Sequence, residues 1–457
     1  MSDKYDLVII GGGPGGLAAA ELAAAGKKRV LIIEKDGWGG TCTHRGCIPT
    51  KALLTCSKYY ADLKKIKRLG INIASAALDF SAMKKHQQQI VKIAALGAKK
   101  TLDDAQVETK SGTAKIITPT EIKFTNQAGD AEIINTQNIL IAWGSEPAMF
   151  PGINLSERIL TSDGILNLTT LPASIIIIGG SFIGVEFATF FAELGTKVTL
   201  IELLDRILPQ EDEEAADFLQ QELTRLGIAV HTSTKLLRLQ ETATDITMQA
   251  QQNSEKLELK ADYALLCIGR KPLLRTYELD KLGVEFTKAG IKVDQNMMTN
   301  VQGIYAVGDV TGGMMLAHRA TQQAKVATAH ICQYEAPIYN ENFIPSIVYS
   351  HPQIARVGLT QKQAVATGLS VEVVKSPYSA NIIARSELMG QGFVTAIFCQ
   401  DQLIGVTIAG DHAAELIAPM SLAVASGLNI KQLQAWVIPH PTLSEIFASI
   451  FVKLQFP

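Results

Sequence analysis

The sequence predicts an α/β chain in which two Rossmann-like dinucleotide-binding domains are followed by a C-terminal α+β domain. Three observations carry this expectation. A short apolar strand, a glycine turn and an Ala-rich helix open the chain; the same succession returns from Ser174; and the last third sets alternating apolar stretches before Ala- and Leu-rich helices. At 457 residues the chain exceeds one ordinary hydrophobic core, so about three domains are expected.

Asp6 to Ile10 reads as a buried strand, Gly11, Gly13 and Gly16 as a G-x-G-x-x-G turn, and Leu17 to Ala25 as a helix stopped by Gly26. The glycines let the backbone approach a pyrophosphate at a helix N-terminus, and Glu34, closing the strand from Arg29, is placed to accept from ribose hydroxyls. Glycine turns also occur merely to pack a helix on a strand, so the context of the pattern carries the argument.

Cys42 and Cys47 follow in Gly39-Gly-Thr-Cys-Thr-His-Arg-Gly-Cys-Ile-Pro-Thr-Lys51. Residues five apart in a regular helix have Cα atoms roughly 8 to 9 Å apart, whereas a disulfide needs about 4.4 to 6.8 Å, so this turn must be distorted. Gly46 allows the distortion, and Pro49 is expected to restart regular helix. A strained, accessible disulfide suits a bond that opens and closes in turnover. The alternatives are two ordinary buried thiols or half of a metal site; with no second Cys or His pair at ligand spacing, no metal is expected. His44 and Arg45 are expected to raise the local positive potential and lower a cysteine pKa.

The second copy runs Ser174 to Ile178, Gly179-Gly-Ser-Phe-Ile-Gly184, a helix to Leu194, and a strand from Lys197 closed by Glu202. The interval from first glycine to closing glutamate, Gly11 to Glu34 and Gly179 to Glu202, is 23 residues in both copies. Two copies imply two dinucleotides. Glu202 would bond a free 2′-hydroxyl and repel a 2′-phosphate, although Arg206 lies nearby; Ser181, in place of the middle glycine, is expected to tune affinity and leave binding intact. In the last third, Gly392 to Phe398 and Leu403 to Ala409 read as strands of an antiparallel sheet. His440 and Glu445 lie five apart, with Pro441 expected to open a short helix, so the carboxylate reaches one imidazole nitrogen and orients the other.

The formal charge of -2 leaves no basic surface for nucleic acid, and the lysines at 58, 64, 65 and 67 read as a solvated helix face. No export signal or membrane span is visible. The other four cysteines, Cys56, Cys267, Cys332 and Cys399, are scattered and call for no disulfide staples, so a reducing cytoplasm fits best.

Over nearly its whole length the chain resembles the pyridine nucleotide-disulfide oxidoreductase family, and most of all its dihydrolipoamide dehydrogenases. Besides the cysteine block, the resemblance rests on Ala142-Trp-Gly-Ser-Glu-Pro147, Ile183-Gly-Val-Glu186, Gly303-Ile-Tyr-Ala-Val-Gly-Asp309, Met315-Leu-Ala-His318, Ile344-Pro-Ser-Ile-Val-Tyr-Ser-His-Pro352 and His440-Pro-Thr-Leu-Ser-Glu445. It implies FAD in the first site, NAD in the second, and the C-terminal α+β domain as the dimerisation domain of an obligate homodimer. The implied parse is an FAD domain over 1–145 and 270–335, an NAD domain over 146–269 and an interface domain over 336–457.

By the same resemblance, Cys42 exchanges with substrate, Cys47 faces the flavin, Lys51 pairs with Glu186 near the flavin, and Asp309 contacts the ribityl chain. Thr41, Ala114, Gly144, Met315, Ala317 and Gly269 are further cofactor contacts, and the partner subunit's His440 and Glu445 supply the base. The implied reaction is NAD-linked oxidation of dihydrolipoamide, borne by the E2 core of a 2-oxoacid or acetoin complex or by a glycine-cleavage carrier. Rival expectations are an NAD(P)H-dependent reductase of another disulfide and a non-catalytic assembly subunit. Among the relatives, mercuric reductase would show a C-terminal cysteine pair, glutathione reductase prefers NADP, and a transhydrogenase lacks the redox cysteines. Trp143, the stretch Thr43 to Arg45, and Ile438 with Pro439 depart from the family pattern.

Overall fold

Leu7, Val8, Ile9 and Ile10 are buried in succession, as is all of Val30–Glu34, the pattern of strands covered on both faces. The computed structural model describes residues 4–453. In it β1 (Tyr5–Ile10) and β2 (Val30–Glu34) pair in parallel, Leu7 opposite Val30 and Ile10 opposite Ile33. Between them runs α1 (Pro14–Ala25), which starts three residues before the expected Leu17. Pro14 sits in the first turn, where a missing N–H costs nothing, and Gly13 is the N-cap.

Gly26 ends this helix for a different reason than a left-handed turn. A Cβ there would lie 2.8 Å from Cys332 Sγ on the helix Ala317–Cys332, and the residue that turns left-handed is Lys27, at φ 59°.

After β2 come α2 (Gly40–Arg45) and α3 (Cys47–Asp62), separated at Gly46. The second helix begins at Cys47, two residues before the expected restart, because Pro49 lies in its first turn and needs no donor there. Three strands follow, β3 (Glu108–Thr118), β4 (Glu121–Asn126) and β5 (Ala131–Ile141). Across the sheet the parallel order is β3, β2, β1, β5 and the strand Ile304–Ala306. β3 and β5 then continue into an antiparallel meander around β4.

The chain divides into two compact units, one comprising residues up to Ala52 with Ala82–Ala148 and Gly269–Tyr339, the other Leu53–Ser81, Met149–Ile268 and the residues from Asn340 on. In the second unit the strands Ala229–His231, Lys197–Ile201, Ser174–Ile178, Tyr263–Leu266 and Ile159–Thr161 form a parallel sheet in that order. Ile176 and Ile178 share a core with Ile246 and Met248 of a three-stranded antiparallel sheet.

The C-terminal stretches read as strands are Phe393–Cys399 and Gln402–Gly410, central in a five-stranded antiparallel sheet. Gln400 and Asp401, both at positive φ, join them in the kind of two-residue turn whose twist matches a hairpin. The helix Ala413–Ala425 buries Ile417 and Met420 against Val406 and Ile408 of this sheet. Among the described residues no helix is long and apolar enough to cross a membrane.

Candidate active site

The first glycine turn is shaped by three different demands. Gly11 has φ 116° and its Cβ would stand 2.2 Å from the Ala142 carbonyl oxygen; Gly16 would meet the Gly11 carbonyl oxygen at 1.9 Å. These two glycines seat the helix on the strand. At Gly13 a Cβ would meet nothing within 4 Å, so the loop is open at the N-terminus of α1, where first-turn N–H groups await an anion. Glu34 holds the loop from below: its two carboxylate oxygens accept from Gly12 N at 2.6 Å and Asp36 N at 2.7 Å. The room at Gly13 and the carboxylate beside it fit the phosphate and ribose of a dinucleotide.

The cysteine segment is fastened to this same loop. Gly39 N donates to the Gly12 carbonyl at 2.8 Å, and Gly40, at φ 57°, would place a Cβ 2.8 Å from Gly13 Cα. Thr41 and Cys42 follow directly on α2. At Gly46 the backbone leaves helical angles, φ -139° and ψ -112°, and this break turns Cys47 back toward Cys42. Both stand as thiols, with a hydrogen bond between their sulfurs. That bond, with burial, raises the Cys42 pKa; Lys51 is the cation that opposes the rise.

At Cys42 the expected lowering by His44 and Arg45 does not occur. Arg45 pairs with Asp36 at 3.0 Å, and the His44 ring bonds the Trp38 carbonyl at 3.1 Å. Both side chains are turned to other partners.

Elsewhere in the first unit, Asp309 sits on a short 3-10 turn and accepts from Ser145 Oγ at 2.5 Å. Arg270 braces that serine from the other side, Nε to Oγ at 2.8 Å and a second nitrogen to the carbonyl at 2.9 Å. Sequence reasoning missed both braces. The Ala114 carbonyl accepts from Arg275 at 2.6 Å, and the same guanidinium stacks 4.8 Å over the Trp143 ring. Trp143 thus stands buried under a cation, its indole N–H without a hydrogen-bond partner among the described residues. Gly144 and Gly269, at φ 75° and 107°, are open where a Cβ would stand. Met315 and Ala317, both half-buried, flank Leu316, the N-cap of the helix Ala317–Cys332.

In the second unit the fingerprint is repeated atom for atom. Gly179, at φ 112°, would place a Cβ 2.2 Å from the Cys267 carbonyl oxygen, and Gly184 would meet the Gly179 oxygen at 1.8 Å. Glu202 accepts from Gly180 N at 2.7 Å and Leu204 N at 2.8 Å. Ser181 is the N-cap of the helix Phe182–Glu193, and its hydroxyl makes no capping bond. Arg206 pairs with Glu213 at 2.5 Å, whose carboxyl is pulled down to about 2 by Lys362 and by Arg206 itself. Arg206 thus has an acidic partner for one terminal nitrogen, while its buried Nε has no hydrogen-bond partner among the described residues.

Glu186, on Phe182–Glu193, is buried and accepts from Tyr349 N at 3.1 Å. His440 Nδ1 and Glu445 Oε1 lie 2.9 Å apart, while Glu445 Oε2 accepts from Thr442 N at 3.0 Å. The histidine holds the Glu445 carboxyl below the usual carboxylate range. Pro441 does not open a helix here; Thr442 caps a single 3-10 turn, Leu443–Ile446, in a capping box with Glu445. One carboxylate therefore fixes both the turn and the imidazole, whose side chain is 76% exposed on its own chain.

A family model described as pyridine nucleotide-disulphide oxidoreductase matches residues 5–324, and one for the dimerisation domain of the same family matches residues 344–450. The dihydrolipoyl dehydrogenase of Chlamydia pneumoniae is 36% identical over 453 residues, 98% of this chain and 96% of that protein. One of Bacillus subtilis (strain 168) is 37% identical over 444 residues, 96% of each. Among solved structures, LpdA from Mycobacterium tuberculosis superimposes with a TM-score of 0.92 at 25% identity, covering 98% of this chain and 99% of that one. The HOCl-induced flavoprotein disulfide reductase RclA from Escherichia coli, in its Cu(II) complex, does so at 0.87 and 27% identity, covering 99% of this chain and 100% of that one.

Proposed function

The chain belongs to the pyridine nucleotide-disulphide oxidoreductase family, as a flavoprotein of the dihydrolipoyl dehydrogenase type, and on that premise we propose that it oxidises dihydrolipoamide borne by a carrier protein. FAD and NAD are its cofactors, and it is a homodimer. The observation that carries the reading is the thiol pair bonded through Gly39 to the very loop whose open Gly13 fits a dinucleotide. A dithiol held against a flavin site calls for a substrate that is itself a dithiol or disulfide.

Residues 1–145 and 270–335 hold FAD, with Gly11, Gly13, Gly16, Glu34, Thr41, Ala114, Gly144, Asp309, Met315 and Ala317 at the cofactor. Residues 146–269 hold NAD through Gly179, Gly184, Glu202 and Gly269, and residues 336–457 form the dimer interface. Lys51 faces the flavin as the cation that stabilises its reduced, anionic form.

In each turnover the partner subunit's His440, oriented by Glu445, takes a proton from one substrate thiol. The thiolate attacks Cys42 Sγ, the Cys42–Cys47 bond breaks, and Cys47 leaves as thiolate. The second substrate thiol then closes the lipoyl disulfide and expels Cys42. The proton of that second thiol passes to Cys42 as it leaves, so Cys42 departs as a neutral thiol, and the first substrate proton remains on His440 of the partner subunit until it is released. When bound, FAD accepts the electron pair of the dithiol and NAD carries it away as hydride, so that dithiol and NAD⁺ yield disulfide, NADH and a proton. The carrier is an E2 core of a 2-oxoacid or acetoin complex, or a glycine-cleavage protein.

Initial-rate NAD reduction by dihydrolipoamide, with NADP and reduced glutathione as controls, tests the assignment. Fast NAD-specific turnover supports it; flavin reduction by NADH without lipoyl turnover moves the substrate to another disulfide. Glu202→Ala should weaken NAD by about ten- to a hundredfold and NADP much less, since the lost group is a charged acceptor for the 2′-hydroxyl. Equal losses in titrations of both nucleotides remove that role.

A further inference from the structure

The base pair of this reading stands on a short turn closed by its own capping box, and a side chain from a distant segment is bonded to its carbonyls. Only four residues, Leu443–Ile446, are helical, and His440, which precedes them, is largely exposed. A side chain from outside the turn adds a further hold on its peptide planes. Asn381 is the side chain that does so. It is 6% exposed, and its amide nitrogen donates to the Thr442 carbonyl at 3.0 Å and the Leu443 carbonyl at 3.3 Å.

The other end of the amide is equally committed. Oδ1 accepts from Ile383 N at 2.9 Å and Ala384 N at 3.1 Å, capping the helix Ile382–Ser386. The Asn381 backbone is tied as well, its N donating to the Tyr378 carbonyl at 2.9 Å, and Tyr378 is 1% exposed with its hydroxyl on the Asp411 carbonyl at 2.8 Å. The amide therefore spans two segments 61 residues apart in sequence, one anchored in the core and one carrying the base.

We propose that Asn381 is a positioning residue for catalysis, which sets the His440–Glu445 pair through the Thr442–Leu443 peptides. This rests on His440 and Glu445 being the base pair. The relay has three links: Asn381 Nδ2 pins the Thr442 carbonyl, the Thr442 N–H holds Glu445 Oε2 at 3.0 Å, and Glu445 Oε1 holds His440 Nδ1 at 2.9 Å. Releasing the first link leaves all catalytic groups present and slightly misplaced, a displacement of the size that costs about a hundredfold in rate.

Asn381→Asp and Asn381→Ser separate the two ends of the amide. Each retains an oxygen able to cap Ile382–Ser386 and loses the amide nitrogen that donates to both Thr442 and Leu443. In the FAD-loaded homodimer, kcat for NAD reduction by dihydrolipoamide should fall by about ten- to a hundredfold with KM little changed. NADH oxidation by an artificial quinone, which needs both nucleotide sites but no base, should stay within about twofold. A residue that merely stabilises the fold would lower both activities together. Lipoyl turnover within twofold of the parent in both variants, or equal loss of both activities, overturns the proposal. His440→Gln in the same assays separates the two readings: if it also keeps lipoyl turnover, the base assignment itself is wrong, whereas a dead His440→Gln beside active Asn381 variants rejects Asn381 alone.

Discussion

Cys47→Ser yields a yellow protein that binds FAD, is reduced by NADH, and turns over dihydrolipoamide about ten-thousand-fold more slowly than the parent. The expectation follows from where the residue stands. Cys47 opens α3 beyond the break at Gly46, and the Gly39 N–H and Gly40 tie the preceding segment to the first glycine loop, so the serine disturbs neither loop nor helix. What vanishes is the leaving sulfur. No internal disulfide forms, no electron pair is stored, and the long-wavelength absorbance of a thiolate beside flavin does not develop on reduction. Quinone reduction by NADH persists, because it bypasses the dithiol. Undiminished lipoyl turnover in this variant would contradict the mechanism outright.

His440→Gln lowers kcat for dihydrolipoamide by about a hundred- to ten-thousand-fold, the range for loss of a positioned general base. The turn survives the change, because Glu445 Oε2 still accepts from Thr442 N and the capping box is intact. KM therefore changes little. The residual rate climbs with pH as the substrate thiol ionises unaided, and a flat pH response would mean that proton removal was never its task. Freed of its imidazole, the first cause of its depression, the Glu445 carboxyl moves back toward the ordinary carboxylate range, which NMR titration reads directly.

The scaffold was legible wherever local geometry dictates residue type at fixed spacing. Both glycine turns fall in this class: the first and third glycines are forced by approaches near 2 Å, and the closing glutamates by bonds to the loop N–H groups. The strands of the last third were legible from their apolar stretches, which the structure buries on both faces almost throughout. Contacts made across long stretches of chain were not. Ser145 meets Asp309 across 164 residues, and Arg275 meets Ala114 across 161, and nothing in either local sequence announces the encounter.

Charges were visible and their directions were not, which is why His44 and Arg45 misled: Asp36 and the Trp38 carbonyl claim them. Trp143, unaccountable as a letter, acquires a reason once Arg275 lies over it. At the C-terminal turn a signal existed and went unread. Thr442 followed three residues later by Glu445 is the pattern of a capping box, and it places the N-cap one residue beyond Pro441 and the first turn at Leu443.

The exposure of the His440 side chain on its own chain, 76%, reaches beyond biochemistry into inheritance. If each centre joins the thiols of one chain to the imidazole of the other, a chain lacking Cys47 and a chain lacking His440 are each dead as pure dimers and alive when mixed. In a hybrid, one centre collects both lesions and the other collects none. Random reassortment would restore about a quarter of the parental activity, because about half the dimers are hybrids with one sound centre each. Two null alleles in one cell would then complement, while two alleles damaged at the same residue would not.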